Sequence, residues 1–227
     1  MKIVTSIGFK ELAKYTTMQI NTFFPDSSDI SEDKIIEVQN FVIPKLEYCF
    51  SHINNKYFRN KGDVVFDHLN SDHYSMFLYM MSFAANSNFN DPNLASKIYL
   101  LNKLLHGIDA FYEVELPSIF LFIHPVGTVL GRAKYSDYFV VYQGCGVGSN
   151  NKASPSIGRF VTLHPNSHIL GNSVVKDNCD VATGALILDT NVEENSIFIG
   201  RPGNERILPK KNMSSLWSTY KNYKNNK

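Results

Sequence analysis

Residues 157 to 188 read IGRFVTLHPNSHILGNSVVKDNCDVATGALIL, and an aliphatic residue recurs at every sixth position of this stretch. The aliphatic positions are Ile157, Leu163, Ile169, Val175, Val181 and Ile187. Beyond a wider gap, the same spacing continues towards the N-terminus at Val147, Val141, Tyr135, Val129 and Ile123. Two positions ahead of these residues the side chains are mostly small, as at Gly127, Ala133, Cys145, Ser167, Ser173, Cys179 and Ala185. The repeat thus begins at residue 123 and ends near residue 188.

A six-residue repeat with one aliphatic and one small position is typical of a parallel β-helix built from hexapeptides. Each unit forms one flat side of a coil, its aliphatic residue points inward, and its small residue turns the corner. An α-helix needs a period of about 3.6 residues and a half-buried strand a period of two, so neither explains the pattern. The ten-residue interval between Val147 and Ile157 predicts a loop that protrudes from the coil.

The chain ahead of the repeat is predicted to be helical. Apolar residues spaced for one helix face occur from Phe9 to Phe24, from Ser31 to about Tyr48, after Asn70, and from Leu94 to about Leu105. We therefore expect an α+β protein with a helical N-terminal domain at 1–111, a β-helix domain at 112–208 and a basic C-terminal tail at 209–227. The tail is predicted to be a solvated helix or a frayed end.

Composition narrows the classes of function. The net charge of +1 provides no overall field that would attract nucleic acid or an anionic membrane. We find no apolar run of the roughly 18 residues that a membrane span requires, and no apolar signal segment at the start. Three cysteines, two of them at small corner positions, favour packing over disulfides and a reducing cytoplasm. No two histidines are spaced as metal ligands with a supporting carboxylate or thiolate, so no metal site is expected.

The aliphatic column fills the interior of such a coil, so a site must lie on an outer face, at the loop or between subunits. His124 stands at the start of the repeat and is predicted to point outward, where its imidazole could act as a general base. Glu113 or Glu115, on one face of an extended segment, could orient this imidazole. The alternatives are a surface histidine and a solvated strand edge. His164 and His168 are interpreted as surface or interface residues.

Several segments resemble the serine acetyltransferase-like members of the hexapeptide-repeat acyltransferases. They are the residues 124–131 (HPVGTVLG), 148–149 (GS), 169–172 (ILGN), 182–185 (ATGA) and 200–203 (GRPG). The resemblance implies a left-handed coil, His124 as the general base and acetyl-CoA as the acetyl donor. It also implies coenzyme A contacts at Gly146, Gly148, Ser149, Ser167, Thr183, Gly184, Arg201 and Pro202. A backbone N–H near Gly146 to Gly148 would support the oxyanion.

The acceptor is less clearly specified by the resemblance. Serine-specific members have Arg-His-Pro after the loop, whereas this chain has Ala153-Ser154-Pro155 and therefore lacks that cationic pair. Asp91-Pro92 resembles an Asp-Pro in the family's helical domain, which makes Asp91 and Ser154 the candidate acceptor-binding residues.

These features together predict an acetyl-CoA-dependent acetyltransferase. We expect it to form a homotrimer, with a dimer of trimers as the larger form, and to act on a sugar hydroxyl or amine in surface-polysaccharide synthesis. The alternatives are a serine O-acetyltransferase and a non-catalytic β-helix scaffold.

Overall fold

Four α-helices form the N-terminal part of the protein, in a computed structural model that describes residues 3–150 and 153–219. They are α1 (Phe9–Phe23), α2 (Glu32–Ser51), α3 (Ser71–Ser87) and α4 (Pro92–His106). The side chains of Asn70 and Asp91 accept hydrogen bonds from the first free N–H groups of α3 and α4, and Gly107 ends α4 in the left-handed conformation. The four predicted helices are confirmed. Among the helices described, none is long and apolar enough to cross a membrane.

Helix α3 lies at the centre of the helical part and packs against α2, α4 and the first coil. Its Met76, Phe77 and Met81 are fully buried. A small sheet beside the helices was not predicted. It consists of β1 (Ile3–Thr5), β2 (Arg59–Asn60) and β3 (Asp63–Phe66) in the order β1-β3-β2. Its strands are short and β1 pairs with a segment about sixty residues away, so no local periodicity marks it.

The C-terminal part is a parallel β-solenoid whose strands follow one another around three faces. The first face contains β5 (Phe120–Phe122), β8 (Phe139–Val141), β11 (Thr162–Leu163), β14 (Asp180–Val181), β17 (Ser196–Ile199) and β18 (Arg206–Pro209). The second face contains β4 (Asp109–Ala110), β6 (Val129–Leu130), β9 (Gly146–Gly148), β12 (His168–Leu170) and β15 (Leu186–Leu188). The third face contains β7 (Lys134–Tyr135), β10 (Ser156–Ile157), β13 (Val174–Val175) and β16 (Asn191–Val192). All these pairs are parallel except β17 with β18. Strand β4 already pairs with β6, so the second face starts just before the predicted boundary at residue 112.

The predicted inward column is confirmed from Tyr135 onward, where Tyr135 pairs with the buried Ile157, but is wrong at Ile123 and Val129. Phe122 pairs with Val141 and Leu130 pairs with Val147, so Phe122 and Leu130 are the inward residues there. Both are buried, whereas Val129 is 50% exposed. The interval from Phe122 to Leu130 is eight residues because the corner between β5 and β6 is longer than the other corners that join the first face to the second. His124 lies in this wide corner.

The end of the described chain packs against both parts of the molecule. After β18, residues 210–219 return to the helical part, where Trp217 forms a β-bridge with Ile53. Trp217 is fully buried and its ring contacts that of Tyr138 edge-on. We call residues 210–219 the C-terminal strap. This segment is neither the solvated helix nor the frayed end predicted for the tail, because the large Trp217 side chain is removed from water by packing. Residues 220–227 and loop residues 151 and 152 lie outside the described residues.

Candidate active site

His124 lies at the corner between β5 and β6, with its side chain 74% exposed. Its backbone has a φ of 49°, in the left-handed region that turns the chain at this corner. The backbone N–H of His124 donates a hydrogen bond to Asp72 Oδ1 at 2.8 Å. The imidazole Nδ1 is 3.8 Å from the same oxygen, which is beyond hydrogen-bond length but close enough for the charges to interact.

The carboxylate beside His124 is therefore Asp72, in the first turn of α3. Its side chain is only 15% exposed, and burial raises the pKa of Asp72 while the N–H and the charge of His124 oppose that rise. Sequence reasoning missed this partner. An acidic residue at a helix start is ordinary, and the contact joins residues 52 positions apart. Only the packing of α3 against the first coil brings the two together.

Glu113 and Glu115 lie elsewhere within the protomer. Both are exposed, and they line an open cleft together with Arg132, Lys134 and Ser154. Among the described residues, neither glutamate contacts His124. Their predicted role in orienting the imidazole of their own chain stays a prediction without a supporting contact. Ser154, the predicted acceptor-binding residue, lies in the same cleft as these charged side chains.

Asp91 lies far from His124. It is the N-cap of α4, where it accepts a hydrogen bond from Leu94 N–H at 3.0 Å and pairs with Lys34 at 2.8 Å. Burial opposes ionisation of Asp91, but the hydrogen bond and charge of Lys34 and the Leu94 N–H outweigh it and lower its pKa. Asp91 follows the C-terminal end of α3, whereas His124 contacts the N-terminal end. A helix of 17 residues is about 25 Å long, so within one protomer a small acceptor cannot contact both, and the acceptor-binding role of Asp91 stays a prediction.

The predicted coenzyme A contacts are distributed over the second face and its corners. Gly146 and Gly148 belong to β9, where Gly146 pairs with His168 and Gly148 with Leu170. A Cβ atom at Gly146 would lie 2.5 Å from His168 Nδ1, so glycine leaves room for the imidazole on the outer surface. Burial and then the nearby charge of Arg201 lower the pKa of His168. Ser149 follows β9 at the start of the protruding loop.

Two details of this face differ from expectation. The N–H of Gly146 donates to Ser167 O at 3.0 Å, so it is not free to support an oxyanion. Ser167 is fully buried, with its hydroxyl 3.8 Å from Cys145 Sγ, so its side chain does not reach the outer surface. It occupies the small corner position, where burial is the rule.

The remaining predicted contacts share one corner. Arg201 Nε donates to Gly184 O at 3.3 Å, and Gly184 has a φ of 72°. Thr183 and Pro202 adjoin these two residues and are exposed. The structure therefore brings four of the predicted residues together, with a guanidinium among them. Within residues 3–150 and 153–219, no group of three His, Cys, Asp or Glu side chains could hold a metal ion.

Comparisons with known proteins agree with this architecture. No family model matches the chain. Curated serine acetyltransferases from two strains of Staphylococcus epidermidis are 26% identical to it over 115 residues, which is 48% of this chain and 54% of theirs. The chain thus spans about half the length of the curated relatives it matches.

Solved structures extend the likeness to most of the chain. The serine acetyltransferase of Neisseria gonorrhoeae superposes with a TM-score of 0.69 at 16% identity, over 92% of this chain and 83% of that one. The chain has the serine acetyltransferase fold. The Brucella abortus serine acetyltransferase in complex with coenzyme A also has a TM-score of 0.69, at 15% identity over 92% and 85% of the two chains. Soybean serine acetyltransferase complexed with serine has a TM-score of 0.68, at 17% identity over 87% and 84%.

The predicted fold class of this serine acetyltransferase-like chain is confirmed. A helical N-terminal part precedes a parallel β-solenoid, and the likeness to serine acetyltransferase structures covers both parts.

Proposed function

We propose that the protein transfers an acetyl group from acetyl-CoA to the hydroxyl of a small acceptor, with His124 as the general base. The observation that supports this most is the serine acetyltransferase fold with an exposed histidine, backed by Asp72, at the first corner of the solenoid. The relatives and structural neighbours are named serine acetyltransferases, and one neighbour is a complex with coenzyme A.

The chemistry assigned to His124 follows from its exposure and its neighbour. The neutral imidazole takes the proton of the acceptor hydroxyl as the oxygen attacks the thioester carbonyl. The carboxylate of Asp72, 3.8 Å from Nδ1, stabilises the imidazolium that forms. The imidazolium then returns the proton to the thiolate of coenzyme A as it leaves. Asp72 also holds the His124 backbone, so it is a positioning residue.

Coenzyme A is proposed to bind along the second face and its last corner. Gly146 and Gly148 leave a shallow outer surface, and Thr183, Gly184, Arg201 and Pro202 form a corner whose guanidinium suits a phosphate. Ser149 at the start of the loop and the backbone of Ser167 complete the proposed set. The cysteine content keeps the cytoplasm as the expected compartment, and a homotrimer remains the expected assembly.

Serine is the proposed acceptor, in place of the sugar expected from the sequence. The curated relatives are serine acetyltransferases, and a structural neighbour is a complex with serine. The sugar acceptor was inferred only from the missing Arg-His pair, and the match to serine acetyltransferases favours the alternative.

A thiol-release assay tests both parts of the proposal. Purified protein and acetyl-CoA are incubated with L-serine or with a panel of amino and deoxy sugars. We expect thiol release with L-serine. Release with a sugar alone would restore the polysaccharide hypothesis, and no release together with no binding of coenzyme A would leave only the non-catalytic scaffold.

A further inference from the structure

An open cleft of about 590 Å³ lies where the segment 113–117 faces the turn 132–135. Glu113 and Glu115 line it from the segment, and Arg132 and Lys134 line it from the turn. Ser154, at the end of the protruding loop, lines it as well. The cleft therefore carries two acidic and two basic side chains, all exposed to solvent.

The acidic segment is held rigidly by Tyr79. The hydroxyl of this buried tyrosine donates to Val114 O at 2.7 Å and accepts from Leu116 N–H at 2.8 Å. Val114 and Leu116 are buried, so the glutamates on either side of Val114 both point outward. Two backbone bonds to one side chain fix where the two carboxylates stand.

The basic turn is held in a similar way. Tyr135 OH donates to Gly131 O at 2.8 Å and closes the turn that carries Arg132. Lys134 N–H donates to Pro155 O at 2.9 Å, which ties this turn to the loop end beside Ser154. The backbone on both sides of the cleft is thus preorganised, while the charged side chains remain free to contact a ligand.

The four charges have no partners among the described residues. Among residues 3–150 and 153–219, the two glutamates, Arg132 and Lys134 have no ion-pair partner within 4.0 Å and no side-chain hydrogen bond. A purely anionic ligand would be repelled by the glutamates, and a purely cationic ligand by Arg132 and Lys134. A small molecule with an ammonium and a carboxylate on neighbouring atoms complements both sets at once.

We propose that this cleft binds the α-amino acid acceptor, with Arg132 and Lys134 on its carboxylate and Glu113 and Glu115 on its ammonium. The inference rests on the proposed acetyltransferase function and supplies the acceptor site that Ala153 and Ser154 alone do not provide. Arginine matches a carboxylate through two parallel N–H groups, which suits it to this task.

The position of the cleft adds a requirement. Arg132 lies at the corner between β6 and β7, whereas His124 lies at the corner between β5 and β6. The width of the second face separates the two corners within one protomer. The proposal therefore requires that the hydroxyl of an amino acid held in the cleft be deprotonated by His124 of a second copy of this chain.

Kinetics with matched analogues test the assignment. Arg132→Gln, Lys134→Gln, Glu113→Gln and Glu115→Gln are each expected to raise the KM for L-serine about 10- to 100-fold, the range for losing one charged hydrogen bond. The KM for acetyl-CoA should stay unchanged. Ethanolamine lacks the carboxylate and 3-hydroxypropionate lacks the ammonium. Arg132→Gln and Lys134→Gln should lose the preference for serine over ethanolamine. Glu113→Gln and Glu115→Gln should lose the preference for serine over 3-hydroxypropionate.

Calorimetric titration of the full chain with L-serine separates this inference from the proposed function. Wild-type KM and serine affinity in all four variants would overturn the inference while leaving the acetyltransferase intact. If serine binds the wild-type protein and binds the four variants more weakly, but no thiol is released from acetyl-CoA, the cleft is an amino acid site and the proposed acetyltransferase activity is overturned. Arg206→Gln, an exposed arginine on β18 outside the cleft, is the control and should match wild type in both measurements.

Discussion

At the scale of single residues, the proposed chemistry depends on His124 and on how its corner is made. Non-glycine residues with positive φ are uncommon, yet His124 adopts a φ of 49°. The bond from its N–H to Asp72 supports this conformation and directs the imidazole away from the solenoid. A side-chain acceptor in the helical part thereby fixes the backbone of a residue in the coil.

Replacing His124 by alanine should remove the general base. Loss of such a group typically lowers the rate about 10²- to 10⁴-fold, and we expect kcat for acetyl transfer to fall within that range. The measurement is thiol release at saturating acetyl-CoA. His164→Ala is the matched control, since His164 is also partly exposed but lies on the first face beside Tyr142. A His124→Ala protein with full turnover would rule out the proposed base.

Asp72→Asn should lower the rate of acetyl transfer more than it changes the fold. The amide oxygen can still accept the His124 N–H, but the negative charge 3.8 Å from Nδ1 is lost. That charge stabilises the imidazolium that forms when the base takes the proton, so kcat should fall by up to about 10-fold at this exposed site. Thiol release at saturating acetyl-CoA measures this, and the melting temperature reports on the fold. An unchanged kcat, with the melting temperature unchanged, would mean that Asp72 acts on the backbone only.

At the scale of elements, two sets of contacts between different elements join the solenoid to the helices. The first coil packs on α3, and the C-terminal strap runs from β18 back to the end of α2. Within the strap, Lys210 pairs with Asp180 at 2.8 Å, and Asn54 N–H donates to Leu216 O at 2.7 Å. The strap therefore fastens the first face of the solenoid to the helical part.

Trp217→Ala should destabilise the protein strongly. Trp217 is fully buried between Ile53 and Tyr138, and truncating a buried tryptophan leaves a cavity that typically costs about 3 to 5 kcal/mol. The free energy of unfolding in urea measures this. Ile207→Ala, at a site 51% exposed on β18, should change it by less than about 0.5 kcal/mol. Equal effects of the two substitutions would show that the strap does not hold the parts together.

At the scale of the whole molecule, two buried histidines make stability depend on pH. Burial lowers the pKa of His73 to about 4 and that of His106 to about 4, from an ordinary value of 6.5. His73 is surrounded by Phe50, Phe58 and Phe66, and His106 Nδ1 hydrogen-bonds with Asn102 Oδ1 at 2.8 Å. Both imidazoles are therefore neutral in the folded protein near pH 7.

Acid should therefore unfold the protein in a definite window. As the pH falls below 6.5, the two histidines bind protons in the unfolded chain but stay neutral in the folded protein. The free energy of unfolding therefore declines from about pH 6.5 towards pH 4. The complete loss is about 3 kcal/mol for each histidine. Urea midpoints between pH 7 and pH 4.5 measure the decline. His106→Gln should flatten the slope by up to about 1.4 kcal/mol per pH unit relative to wild type. Equal slopes for the variant and wild type would contradict the assignment.

Much of the fold could be predicted because its determinants are local. The same backbone geometry imposes a six-residue spacing on each side of the coil. The buried residues from Val141 to Ile187 could therefore be predicted from their sequence spacing. The helices follow from caps such as Asn70 and Asp91. The first coil was misplaced by one residue at Ile123 and Val129 because the wide corner at His124 breaks the count. The outward position of His124 was nevertheless predicted correctly.

The site could be predicted only in part, because its partners are distant in sequence. By itself, the sequence determined a period, and through it the solenoid, its inward column and the corner that exposes His124. Only the tertiary structure decided that Asp72 lies beside His124, that Glu113 and Glu115 face Arg132 and Lys134, and that Trp217 packs between Ile53 and Tyr138. The physical reason is that a repeat is set by the local geometry of the backbone. The pairing of charges and the burial of a large ring depend instead on which surfaces the packing of helices against the coil brings into contact.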